Sequence, residues 1–260
     1  MRSILVLADR GAAARGRIET ALSLARVHEG HVTLLVDTPV MRFTAVDAMG
    51  GASIATEALQ EAVADDDAYA REIDAHLARE DVPCSVLRAE SEPLDALVQA
   101  GRLADIVVVT RGDPLVGDLP LALRAPVLAL SAEQDLSFPI ARACIAWDGS
   151  MEAANALRSS VPLLANGCEV TVITVEDAPG AWPATDAVEY LSRHGVAAEQ
   201  QVLPRVGTIE ETLLREVQLR GAQMLVMGAF GHSRVREFLF GGVTRSMLEM
   251  KHGPALLLAH

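Results

Sequence analysis

The residues whose types and spacing could do chemistry lie between 227 and 246. They run Met227-Gly228-Ala229-Phe230-Gly231-His232-Ser233-Arg234, then VREFLF, then Gly241-Gly242-Val243-Thr244-Arg245-Ser246. A glycine directly after an apolar strand lets the backbone approach a ligand without side-chain obstruction. A second glycine turn that opens a helix presents free N–H groups and the positive helix end to an anion. Together the two turns could cradle a polyphosphate. Between Gly228 and Lys251, Arg234, Arg236, Arg245 and Lys251 face only Glu237 and Glu249, a positive balance suited to phosphate. His232 either bonds a phosphate oxygen there or faces solvent. Glycines after strands also serve as plain tight turns, so the segment alone leaves both readings open.

The elements that must position this segment emerge from an internal repeat. ILVLAD (4–9) is matched by ACIAWD (143–148), each an apolar strand ending in Asp. HVTLLVD (31–37) is matched by EVTVITVED (169–177), ADIVVVT (104–110) by AQMLVMG (222–228), and RAPVLAL (124–130) by HGPALLLAH (252–260). Asp9 and Asp148 are 139 positions apart and Val32 and Val170 are 138 apart, so the landmarks keep one offset. Helical periods fall between the strands, near 55–80, 93–102, 183–194 and 207–220, with weaker strands at 82–88 and 196–203. Continuous apolar strands alternating with helices predict an α/β fold. It consists of two doubly wound, mostly parallel five-stranded sandwiches, with helices on both faces. The expected domains are 1–134 and 139–260, joined by SAEQDLSFP (131–139). The fourth and fifth strands are separated by 26 residues in the second copy and 16 in the first, which leaves the first short of a loop and a helix.

The second copy resembles a universal stress protein domain, and the whole chain resembles a tandem of two. The family's nucleotide signature is G-x2-G-x9-G-[S/T]. Gly228, Gly231 and Gly241 occupy its glycine positions, and Gly242 stands where Ser or Thr is usual. The resemblance implies a Rossmann-like, adenine nucleotide alpha hydrolase-like fold that binds ATP, with or without Mg²⁺. It places Asp148 near the adenine or ribose, with Ala146 and Trp147 along the approach, and the Val175 backbone on the base. Met227, Gly228, Gly231, His232, Gly241, Gly242, Val243 and Thr244 then surround the phosphates, with the Thr244 hydroxyl two residues beyond the missing one. Asp148 also fits an N-cap for a helix beginning near Met151, and Trp147 also fits a half-buried strand residue. The first copy keeps Asp9, but its strand exit TRGDPLVGDLPLAL lacks the glycine spacing and carries Asp113 and Asp118. It reads as a degenerate half without a nucleotide. The resemblance also implies that the closing strands, VLAL (127–130) and ALLLA (255–259), pair within the chain as they do across the family's dimer. Further homodimerisation stays open.

Composition bounds the rest. The chain has 260 residues, 35 acidic and 22 basic, for a net charge of −13, which argues against a nucleic-acid or anionic-membrane binder. Residues 1–137 carry −10 of that charge and 138–260 carry −3, so the acidity sits away from the glycine segment. Aromatic residues make up 3%, so the core is aliphatic. No apolar run approaches a membrane span, and the N-terminus reads as a first strand rather than a signal peptide. Cys84, Cys144 and Cys168 show no CxxC spacing and read as buried thiols of a cytoplasmic protein. The acidic run ADDDA (64–68) reads as a solvated helix face rather than a metal site. GxSxG, GxxxxGK[ST] and HExxH are absent, so the expectation is a stress-response module that binds ATP and an unidentified protein partner, not an enzyme. The alternatives are a nucleotide-free scaffold of the same family and an adenosine-binding α/β enzyme.

Overall fold

The computed structural model describes residues 1–39, 52–165, 167–176, 183–231 and 242–260. The first half runs β1 (Ser3–Leu7), α1 (Ala14–His28), β2 (His31–Asp37), α2 (Ala52–Leu77), β3 (Cys84–Ala89), α3 (Pro93–Ala100), β4 (Ile106–Thr110), α4 (Leu115–Ala122) and β5 (Val127–Leu130). The second runs β6 (Arg142–Ala146), α5 (Met151–Leu164), β7 (Glu169–Glu176), α6 (Ala184–Arg193), β8 (Ala198–Pro204), α7 (Ile209–Arg220), β9 (Met224–Gly228), α8 (Gly242–Glu249) and β10 (Ala255–Ala259).

The strands form one ten-stranded sheet in the order β3-β2-β1-β4-β5-β10-β9-β6-β7-β8, rather than two separate sheets. Each half is parallel and repeats the same order from its outer edge inward. The halves meet where β5 and β10 pair antiparallel, with Leu257 opposite Leu128. Pairing these two short, fully buried strands removes an exposed edge from each half.

Alternation along each strand divides the core between two layers. Ile4, Val6, Ile145 and Val226 join α1, α2, α5 and α6 on one face. Leu5, Leu7, Cys144, Leu225 and Met227 join α3, α4, α7 and α8 on the other. The strands are aliphatic because both faces are covered.

Two expectations, on the first-half crossover and on the acidic run, need correction, and the linker is seen in place. The short first-half crossover does hold a helix, α4, so its missing residues come from the loop before it. The segment 131–139 is tied down along α1, where Leu136 N–H donates to Thr20 Oγ1 (2.8 Å) and Phe138 N–H to Ser23 Oγ (2.8 Å). The acidic run is not simply solvated. Asp65 and Asp66 take the two ends of Arg10 (3.1 and 2.9 Å), Asp66 also accepts from Thr38 Oγ1 (2.7 Å), and Asp67 pairs with Arg88 (2.6 Å). Consecutive acids point to different sides of α2, and each side meets a donor from a strand end.

All three thiols are free, with Cys144 and Cys168 buried. Burial pushes Cys144 up to about 12 and Cys168 up to about 11. Both should therefore stay protonated at neutral pH and react with an aromatic disulfide reagent only on unfolding. Rapid labelling of either thiol in the native chain would contradict this.

Candidate functional site

In each half the strand order reverses beside the first strand, between β1 and β4 and between β6 and β9. Crevices at the carboxyl ends of such strands are the usual ligand sites of open α/β sheets.

In the second half, Ala146 pairs with Ile173 and Ile145 with Val226, and Trp147 N–H donates to Ile173 O (2.8 Å). Extending this register by two residues puts Asp148 beside Val175 on one side and Ala229 on the other. Asp148 is exposed. Its Oδ1 accepts from Ser150 N–H (2.9 Å) across Gly149, whose φ is +76°. The N-cap of α5 is Ser150, with Oγ accepting from Ala153 N–H (3.1 Å), so Asp148 shapes the turn without capping the helix.

Ala146, Val175 and Met227 lie on one face of the sheet, toward α7 and α8. Trp147 lies on the other, 8% exposed, in the layer of α5 and α6. There it lines a cavity of about 230 Å³ with Tyr190 and Leu157. The expected contact set is thus split by the pleat, and the indole is a core group on the face away from its companions.

The strand-9 exit is shaped by α5. A Cβ on Gly228 would stand 2.6 Å from Ala153 N and 2.7 Å from Glu152 C, both backbone atoms. Glycine is therefore demanded there by packing alone. At Gly231 a Cβ would meet the Glu152 carboxylate at 2.9 Å, a flexible group that the sequence reading did not single out. Between them, Ala229 is anchored to the closing strand by its N–H to Ala259 O (2.9 Å), and His260 Nδ1 donates to Ala229 O (2.9 Å). Phe230 is buried with φ +61°, a conformation side chains rarely adopt. Its N–H donates to Thr244 Oγ1 at 3.5 Å, and Thr244 is 4% exposed. The Thr244 hydroxyl is thus turned inward as a brace for the loop, not outward in place of the missing serine.

The first turn of α8 contains no acid, Val243 is half-buried, and Gly242 is exposed. Unlike Gly228, Gly242 has no atom of the described residues within 4 Å of its Cβ position. Its N–H and those of its neighbours form the donor set an anion would use. His232 and Gly241, with the residues between them, lie outside the described residues.

The first-half crevice is built differently. Arg17, 3% exposed on α1, bridges the two strand ends. Its Nε donates to Leu7 O (2.8 Å), Nη2 to Asp9 Oδ2 (2.7 Å) and Nη1 to Thr110 Oγ1. Tyr69 Oη donates to Asp9 O (2.6 Å) from α2. Thr110 is the counterpart of Gly228, since β4 and β9 start at Ile106 and Met224 in equivalent registers. The reversal point of this half is stitched by the protein's own cation.

Residues 140–257 match the Universal stress protein family. No curated protein matches the chain. Among solved structures, a universal stress protein from Archaeoglobus fulgidus DSM 4304 superposes with a TM-score of 0.72 at 14% identity, over 98% of this chain and 97% of that one. A putative universal stress protein from Pseudomonas aeruginosa UCBPP-PA14 gives 0.61 at 16% identity, over 100% and 93%. At such identities the likeness is one of fold, and it extends through both halves. Among the described residues no helix is long and apolar enough to cross a membrane, and no group of three His, Cys, Asp or Glu could hold a metal ion.

Proposed function

We propose that the second half binds an adenine nucleotide, ATP in the first instance, at the crevice between β6 and β9, and that the protein is a stress-response module whose bound nucleotide sets its conformation or choice of protein partner. The observation that carries this reading is the start of α8, a helix beside the reversal point with no acid in its first turn, opening on a glycine against whose Cβ position no described residue packs. The triphosphate would take the first N–H groups of α8, those of Gly242, Val243 and Thr244. The base would lie toward Ala146, Val175 and Met227, with Asp148 at a ribose hydroxyl or the adenine amino group. Glu152 beside Gly231 is unfavourable for a bare triphosphate, and an accompanying Mg²⁺ would offset it. The reading is of binding rather than turnover, because Thr244 Oγ1 is committed to the loop and the nucleotide has only positioning groups around it.

Position 242 supplies the test. Gly242→Ser adds a Cβ where no described residue stands and restores a hydroxyl, so it should tighten ATP binding by about tenfold, the worth of one hydrogen bond to a charged group. Gly242→Asp puts a like charge against the phosphates and should weaken binding by at least about tenfold. Calorimetric titration of the full chain with Mg-ATP reads both. Equal affinity in Gly242→Asp and the unmodified chain would remove the site from α8. Absence of binding in the unmodified chain and in Gly242→Ser would favour a nucleotide-free scaffold.

A further inference from the structure

The cavity at Trp147 is a cleft between α5 and α6, with about 230 Å³ of space. Protein interiors hold few voids larger than a water molecule, so a gap of this size asks for an occupant. Among the described residues its deep part is apolar. Trp147, Leu157 and Ala187 are 8, 3 and 2% exposed, and the half-buried Tyr190 lines the cleft with them. The mouth is formed by Met151, Arg158 and Asp186, all exposed.

The first half shows that the fold itself does not demand this gap. Ala70 and Ala184, Leu77 and Leu191, and Val82 and Val196 are buried pairs at one constant separation. The same separation matches Ile73 to Ala187, and the match of Asp9 with Asp148 sets Ala8 against Trp147. The first half thus carries isoleucine on the helix and alanine at the strand end, both in its core. In the second half the helix position is alanine and the strand end carries the indole. The exchange takes bulk from the roof and lays a ring on the floor. Such a recess suits a flat aromatic guest, since rings pair offset or edge-on. A dry cavity of about 150 Å³ takes benzene, so this one has room for about nine heavy atoms.

We propose that the cleft between α5 and α6 is a binding site for a small, uncharged aromatic molecule about the size of indole, held against Trp147 and Tyr190. Asp186, in the first turn of α6, accepts from a ring N–H or O–H at the mouth. Met151 closes over the outer edge of the ring. The opposite charges of Arg158 and Asp186 leave the mouth without a net preference for an ion. The cleft lies on the sheet face away from Ala146, Val175 and Met227, so this ligand and the proposed nucleotide share no surface.

The test is thermal unfolding of the full chain with indole and without nucleotide, after saturation-transfer NMR titration has given the Kd. At ten times that concentration the midpoint should rise by about 4 °C. Ala187→Ile installs the first-half residue and fills part of the cleft, so it should be at least as stable as the unmodified chain and gain nothing from indole. Should it fail to fold, Ala154→Leu fills the cleft from the α5 side and takes its place. A gain in the filled variant equal to that of the unmodified chain overturns the proposal, as does no gain in the unmodified chain. Phenol should raise the midpoint more than cyclohexanol, which has the same heavy atoms and no flat ring. Equal gains, or the opposite order, overturn the aromatic assignment.

Discussion

Arg17→Ala is expected to lower the stability of the chain by about 3 kcal/mol, at the low end for breaking a buried ion pair. Asp9, the charged partner, is 43% exposed, so water recovers part of what its carboxylate loses. The Leu7 carbonyl and the Thr110 hydroxyl would lose a charged donor at the reversal point, and the removed side chain leaves a cavity under α1. Arg17→Met keeps most of the volume and should retain only the packing share. Urea unfolding followed by far-ultraviolet circular dichroism reads both variants, with the linear slope checked for change. A loss below about 1 kcal/mol for the alanine variant would mean that the bridge does not hold β1 to β4. Nucleotide affinity should not move, because the candidate site is in the other half.

Gly228→Ala is the mirror experiment. One methyl group at 228 would stand 2.6 Å from the nitrogen of Ala153, and backbone at a helix start cannot move aside as a side-chain tip can. The expected cost is about 3 kcal/mol, the upper part of the usual range for overpacking, with Gly228→Thr worse. In the first half the same sheet position already carries a threonine, Thr110, whose hydroxyl is bonded by Arg17. Thr110→Gly should therefore cost no more than about 2 kcal/mol, through one lost bond and added chain freedom. Near-equal losses in Gly228→Ala and Thr110→Gly would refute the argument that α5 alone presses on the strand end. Loss of ATP binding in Gly228→Ala would not by itself identify a ligand contact, because the fold is hit first. Position 242 is the cleaner place to ask about nucleotide.

The repeat was legible because matched strands leave matched apolar runs: β4 and β9 fall inside the runs read from sequence, and β1 and β6 begin one residue before theirs. That the sheet is continuous was less legible. β5 and β10 look like any buried closing strands, and their antiparallel union is a long-range choice that no local pattern records. Helix α4 carries little periodic signal in the sequence because it is short and holds Gly117 and Pro120. Arg17 reads on paper as a solvent-facing residue of an amphipathic helix, and only the meeting of two strand ends reveals its task. At the candidate site, the glycine pattern mixes two causes. Gly228 answers to the backbone of α5, whereas no described residue lies within 4 Å of a Cβ on Gly242. Trp147 was misplaced by neglect of the pleat, since adjacent strand residues point to opposite layers.

The antiparallel union of β5 and β10 also sets a compass for the molecule. Strands on either side of it run in opposite directions, so the two reversal points open at opposite rims of one sheet. A homodimer built this way would display two identical mouths back to back. Fusing the halves into one chain lets the rims be inherited separately, one stitched shut by Arg17 and the other left open at Gly242. Such a molecule has a front and a back. If the nucleotide site proposed above is occupied, a partner at that rim would meet a change on nucleotide exchange, while a second protein could hold the opposite rim without competing for it.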